Sequence, residues 1–170
     1  MTDYLGLSWR DVGAGLAAGV SAFLAAVLVN LWNFVQTFRA RGFGAASLSA
    51  YRTGVGELIF LGLFVTPVVA LLVGTVVWRV VLSDEPNPSY GAIAGVVSAV
   101  VSLGIYAALV GLMAAWSQAS TGTLGSAVGE FVFITAIIAI FGGFVTLPVA
   151  VPLGAVVGYG YEWYVAKGKR

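Results

Sequence analysis

Four stretches of this chain are long, apolar and free of formal charge, and they decide what it can fold into. Residues 12–35, 58–78, 91–116 and 131–157 contain no Asp, Glu, Lys or Arg. Each reaches the roughly 20 residues that a helix needs to cross a hydrocarbon layer of about 30 Å. No water is available there to pair an open N–H or C=O, so each stretch must close its own backbone hydrogen bonds as a helix. Four such runs in 170 residues leave room only for connections. The expected fold is all-α: a four-helix transmembrane bundle forming a single integral membrane domain over 1–170. Composition agrees, with 9% charged residues where soluble domains carry about 25%.

The five tryptophans, Trp9, Trp32, Trp78, Trp116 and Trp163, each fall within a few residues of a span end. Indole prefers the headgroup level, so these positions predict the bilayer boundaries. Residues 1–11 hold two aspartates and one arginine, a poor signal-peptide start. The run that follows is long enough to span, so it reads as a retained helix.

The second and fourth spans share a pattern. Val-Gly-Glu opens both, at Val55-Gly56-Glu57 and Val128-Gly129-Glu130, and Phe-Val-Thr recurs at Phe64-Val65-Thr66 and Phe144-Val145-Thr146. Aligned without gaps, 64–78 and 144–158 agree at 8 of 15 positions (Phe, Val, Thr, Val, Ala, Gly, Val, Val). The openings of the first and third spans echo one another, GAGLAAGVSA at 13–22 and GAIAGVVSA at 91–99. The expectation is a direct repeat of a helical hairpin, over about 12–81 and 91–160. Seven more residues separate glutamate from phenylalanine in the second copy (14 against 7). In an α-helix they would add about two turns and rotate the face by only about 20°.

Small residues recur at four-residue spacing, notably Gly15 with Gly19, Gly91 with Gly95, and Ala107, Gly111 and Ala115. Such rows let helix backbones approach closely in lipid. Asn30 is an amide deep in the first span and should face another helix or the interface, as glue or as a ligand contact. Ser98, Ser102 and Tyr106 share a face of the third span. Their hydroxyls either bond the preceding turn or form a polar stripe with Thr146. The connection 36–56 carries Arg39, Arg41 and Arg52 beside Phe43, Leu48 and Tyr51, as a segment lying on the membrane surface would.

Pro67, Pro148 and Pro152 lie inside spans, where each removes a backbone donor and should kink its helix. The fourth span is about 40 Å long if straight, too long for the hydrocarbon layer without tilt or bend. A bend near Pro148 and Pro152 would free two carbonyls for Thr146, Ser98 or Ser102. Val157-Gly158-Tyr159-Gly160 looks like part of a potassium-channel filter. The preceding residue is Val156 rather than threonine, and only ten residues follow, too few for an inner helix.

The chain has no cysteine and no histidine, so thiol chemistry, disulfides, catalytic triads and histidine- or cysteine-bound metals are excluded. Asp3, Asp11 and Asp84 lie outside the spans, which leaves no intramembrane aspartyl pair. No cofactor, no metal and no enzymatic activity are expected. A net charge of +1 gives no nucleic-acid footprint. Glu57 and Glu130 open two spans, either as carboxylates favoured by the helix dipole or as a shared cation or proton site.

The turn DEPNPSYGAIAG and the ending PLGAVVGYGYEW resemble small four-span membrane proteins of halophilic archaea, a group that implies the fold and no activity. Two function classes follow from the residues. One is a structural or accessory subunit that packs through its small-residue faces, in a homo-oligomer or a larger membrane complex within the lipid bilayer. The other is a small oligomeric transporter or channel using Glu57 and Glu130. Localisation in the cell membrane is expected, with both termini cytoplasmic. Five basic residues (Arg10, Arg79, Lys167, Lys169, Arg170) lie on the termini side against three on the other.

Overall fold

A computed structural model describes residues 8–41, 55–81, 87–120 and 122–168, with the backbone alone for 41 and 55–61. The segment around Phe43, Leu48 and Tyr51, most of the turn at 82–90 and the last two basic residues lie outside the described residues. Helix α1 spans Trp9–Arg41, α2 Val55–Val81 and α3 Pro88–Ala119. The fourth span is α4, Leu124–Ile137, then a π-helical turn, Ile138–Gly142, then α5, Gly143–Gly168. The described residues contain no strand. Four helical stretches are long and apolar enough to cross a membrane: Trp9–Ala40, Gly62–Val81, Pro88–Ala119 and Leu124–Gly168.

Local chemistry starts three of these helices ahead of their apolar windows. The Ser8 hydroxyl accepts from the Asp11 N–H at 3.2 Å, and the Asp11 carboxylate accepts from the Ser8 N–H at 2.9 Å. This reciprocal pair satisfies two otherwise open donors of α1. Asn87 caps α3 by accepting from the Ser89 N–H at 3.0 Å, with Pro88 in the first turn where its missing N–H costs nothing. Thr123 and Ser126 form a second reciprocal box before α4. That box moves the helix start to Leu124, so Glu130 sits in the second turn rather than at the helix opening.

The spans run antiparallel in the ring order α1, α2, α3, α5 and back to α1. Small residues fill the inside: Ala14, Ala18, Ala25, Ala70, Ala94 and Ala107 are buried. Large ones face outward, Phe141, Phe144, Val156 and Trp116 among them. Lipid is as apolar as leucine, so close packing of small residues does the joining. The rows singled out in the sequence meet one another across these seams. A Cβ on Gly15 would collide with Thr75 and the Leu71 carbonyl, and one on Gly95 with the Gly154 carbonyl. The Val157–Gly160 stretch is helical within α5, with Gly158 against Gly91 and Trp78, so it forms no filter loop.

The fourth span departs from α geometry at Ile138–Gly142, between Glu130 and Phe144. It remains α-helical through Pro148 and Pro152, and both prolines are exposed on its outer side. A π turn holds about one residue more than an α turn, which re-phases the two sides by about 100°. The rotation of about 20° expected from spacing assumed α geometry throughout and does not apply. Pro67 likewise sits within a continuous α2.

Candidate ligand cavity

At the termini end, one side chain gathers the bundle. Glu162, on α5, is fully buried. Its carboxylate accepts from Arg10 Nη2 at 2.6 Å and from Arg10 Nε at 3.1 Å. It also accepts from the Trp78 indole Nε1 at 3.0 Å. Next to it the Tyr161 hydroxyl donates to the Arg10 carbonyl at 2.9 Å, and its ring meets Trp78 edge-on at 6.4 Å between centroids. Gly91 of α3 closes the group, since a Cβ there would strike Glu162 and the Gly158 carbonyl. A forked guanidinium on a carboxylate fixes direction as well as distance, so α1, α2 and α5 are tied at this level.

Trp78 therefore departs from the belt role expected of all five tryptophans. It is 2% exposed, whereas Trp9, Trp32, Trp116 and Trp163 stand on the surface. Its N–H has a carboxylate partner, which removes the usual reason for an indole to seek the interface.

Above Trp78 and Gly158 lies a cavity of about 300 Å³ between α1, α2, α3 and α5. Its walls include Ser21, Thr66, Ser98, Ser102 and Thr146, and its far end Asn30, Asn33 and Tyr106. No charged side chain lines it among the described residues. Toward that far end the bundle parts. Among the described residues no Cα of α1 or α2 comes within 8 Å of α4 or the π turn, and α4 leans on α3 alone.

Two of the cavity's polar groups are bonded within their own helix. The Ser21 hydroxyl donates to the Ala18 carbonyl at 2.8 Å, and the Asn30 amide to the Ala26 carbonyl at 2.8 Å. Asn30 is thus bonded along α1 rather than across to another helix. Ser98 and Ser102 differ. Each is 2% exposed, and neither hydroxyl has a hydrogen-bond partner among the described residues. They do not reach the carbonyls freed by Pro148 and Pro152.

Positions matched between the two halves line the cavity in pairs: Gly62 and Gly142, Thr66 and Thr146, Ala70 and Ala150, Trp78 and Gly158. Matching Val20-Ser21-Ala22 to Val97-Ser98-Ala99 adds Ser21 with Ser98 and Ala22 with Ala99. Glu130 is half-buried on α4 and outside the cavity. The side chain of Glu57 lies outside the described residues, so its pairing with Glu130 rests on sequence alone.

Sequence reasoning missed Glu162, which stands beside Trp163, one of the five tryptophans expected at the bilayer boundaries. The usable signal was topological: an even number of spans brings Arg10 and Glu162 to the same membrane face as opposite charges. No known protein family, curated protein or solved structure matches the chain.

Proposed function

We propose that this multi-pass membrane protein is a small carrier that takes a solute into its central cavity and releases it across the bilayer. One observation carries the reading. A cavity of about 300 Å³ is stopped at the termini end by Trp78, held by Glu162 and Arg10, while the helices part at the other end. Packed interiors leave few voids larger than a water molecule, and this volume falls at the small end of ligand pockets, about 300–1,000 Å³. The proposed function is passage rather than bond-making, since no carboxylate lines the space among the described residues and the chain has no histidine or cysteine.

The two hairpins, in this reading, are direct repeats related by a pseudo-twofold axis along the membrane normal. Support comes from the paired lining positions and from the neighbour relations. Helix α1 lies on α2 as α3 lies on α5, and α2 lies on α3 as α5 lies on α1. The termini face the cytoplasm of the cell membrane on the balance of basic residues. A C-terminal reporter active only in the cytoplasm tests that side, and a silent reporter on a well-expressed fusion inverts the orientation.

The absence of cysteine makes a direct test of passage simple. A Thr66→Cys protein in liposomes reports when the cavity is reached by a membrane-impermeant maleimide. The expected result is fast labelling from the Asn33 side and slow labelling from the termini side. Glu162→Gln should speed the slow side at least tenfold, because it removes the buried charge while Arg10, 18% exposed, can turn to water. Labelling from one side only, unchanged by Glu162→Gln, makes the cavity a dead end and refutes the carrier.

A second reading, a packing subunit of a homo-oligomer or larger complex, is favoured by α4. Among the described residues that helix packs on α3 alone, and a Cβ on Gly129 would meet none of them within 4 Å. Co-purification of a stoichiometric membrane partner, lost on Gly129→Leu, would decide for it.

A further inference from the structure

We infer that the cavity binds an uncharged, mainly apolar molecule of about two rings in size, carrying a hydrogen-bond acceptor that Ser98 and Ser102 engage. The inference deepens the carrier reading by naming its cargo class, although binding itself does not require passage.

Size sets the first limit. A closed apolar cavity of about 150 Å³ holds one benzene, so about 300 Å³ suits roughly two rings or an equal volume of branched chain. Charge sets the second. The cavity has no lysine, arginine, aspartate or glutamate on its walls among the described residues. Arg10 and Glu162 satisfy one another at the level of Trp78. An ion entering this space would lose its hydration and find no counter-charge, a cost far above that of a neutral guest.

The hydroxyls supply the direction. A buried hydroxyl without a partner is uncommon and destabilising, and here two occur one turn apart on one helix, on residues that line the same space, with their oxygens covered from it until the side chains turn. Side chains at this spacing stand about 5–6 Å apart, so one acceptor oxygen with two lone pairs fits between their O–H groups once both are turned to the guest. The other half of the bundle does not offer this. Ser21, matched to Ser98, is already bonded to Ala18, and the position matched to Ser102 is Ala25. A scaffold with paired walls thus presents a one-sided polar contact on α3, which orients a guest. The remaining lining, alanine, glycine, leucine and valine for the most part, suits its apolar body.

Benzophenone is a fitting probe, having two rings, one carbonyl acceptor and no charge, and it couples to nearby C–H bonds under light. The protein in liposomes is irradiated over a range of benzophenone concentrations, and adducts are mapped by mass spectrometry. Saturable adducts are expected on cavity residues such as Leu103, Leu147 and Thr66. The double variant Ser98→Ala/Ser102→Ala should raise the half-saturating concentration about five- to tenfold, the effect of one good hydrogen bond. Diphenylmethane, with the same rings and no carbonyl, should compete that much more weakly against wild type and equally well against the variant. The variant's thermal midpoint should hold or rise, because the hydroxyls it removes bond nothing in the protein.

Adducts confined to lipid-facing residues such as Phe144 and Val156, growing linearly with concentration, overturn the inference. So does a double variant that binds unchanged, or one whose midpoint falls, since its hydroxyls would then have protein partners. Maleimide access that responds to Glu162→Gln while benzophenone leaves the cavity unlabelled overturns this cargo class and leaves the carrier standing. Saturable cavity adducts without that response support the cargo class and overturn the carrier.

Discussion

A buried carboxylate at a membrane-bundle end survives only with full compensation, and Glu162 has it from two helices. Removing one partner of such a group leaves an uncompensated charge, which costs about 3–5 kcal/mol in comparable pairs. Arg10→Ala should therefore lower stability by that order, read as the unfolding midpoint in detergent. Trp78→Phe keeps the ring and loses one hydrogen bond to a charged acceptor, so it should cost about 1.5–3 kcal/mol. Glu130→Gln, outside the cluster and half-buried, should stay within about 0.5 kcal/mol. Equal losses for Arg10→Ala and Glu130→Gln would remove Glu162 from its place at the centre of this end. None of this was legible locally. Tyr-Glu-Trp-Tyr at 161–164 has the composition of an interfacial belt, and Trp163 and Lys167 behave as one, the lysine lying 5.0 Å over the indole ring. What buries Glu162 is an arginine 152 residues away, and periodicity carries no information at that range.

At the scale of elements the sequence was far more informative, because a membrane removes most alternatives to helix. All four spans, their antiparallel order and the joining role of the small-residue rows were readable. Which row meets which was not, since that depends on how the helices rotate about their axes. The seam between Gly95 and Gly154 gives the sharpest test. A Cβ on either collides with backbone of the other helix, and backbone cannot turn aside as a side chain can. Gly95→Val should prevent a monodisperse folded protein in detergent. Gly104→Ala, where a Cβ meets nothing within 4 Å, should be tolerated and gain up to about 1 kcal/mol from helix propensity. A folded Gly95→Val protein would mean that α3 and α5 are not in contact there. The fourth span shows where local rules are incomplete. Pro148 and Pro152 lie on the outer side of α5, which stays helical past both. A π turn that no residue pattern announced falls at Ile138–Gly142, just before Gly143. Length alone pointed to some departure from a straight helix without saying where.

For the whole molecule, the proposed pairing of the hairpins makes a prediction that neither hairpin makes alone. If α1–α2 and α3–α5 are copies, matched positions should respond alike wherever their surroundings are alike, and differ where those differ. Gly74 and Gly154 occupy matched positions and meet matched neighbours. A Cβ on Gly74 would press on Ala18, and one on Gly154 on Gly95, which are themselves matched through the Val-Ser-Ala alignment. Gly74→Leu and Gly154→Leu should each wedge one hairpin open, with losses of the same order. Because α2 and α5 stand diagonally, with no Cα pair within 8 Å among the described residues, effects of milder Gly→Ala changes at the two sites should add to within about 0.5 kcal/mol. Ser21 and Ser98 are matched as well, yet only Ser21 is bonded. Ser21→Ala should therefore cost about 0.6 kcal/mol, the average for a polar contact measured within a membrane bundle, while Ser98→Ala should cost nothing. Unfolding curves for these variants in one detergent check the scheme. A tolerated Gly74→Leu beside an unfolded Gly154→Leu would show that the two hairpins bear load differently, and the shared Phe-Val-Thr pattern would then reflect no more than apolar sequences drawing on few residue types.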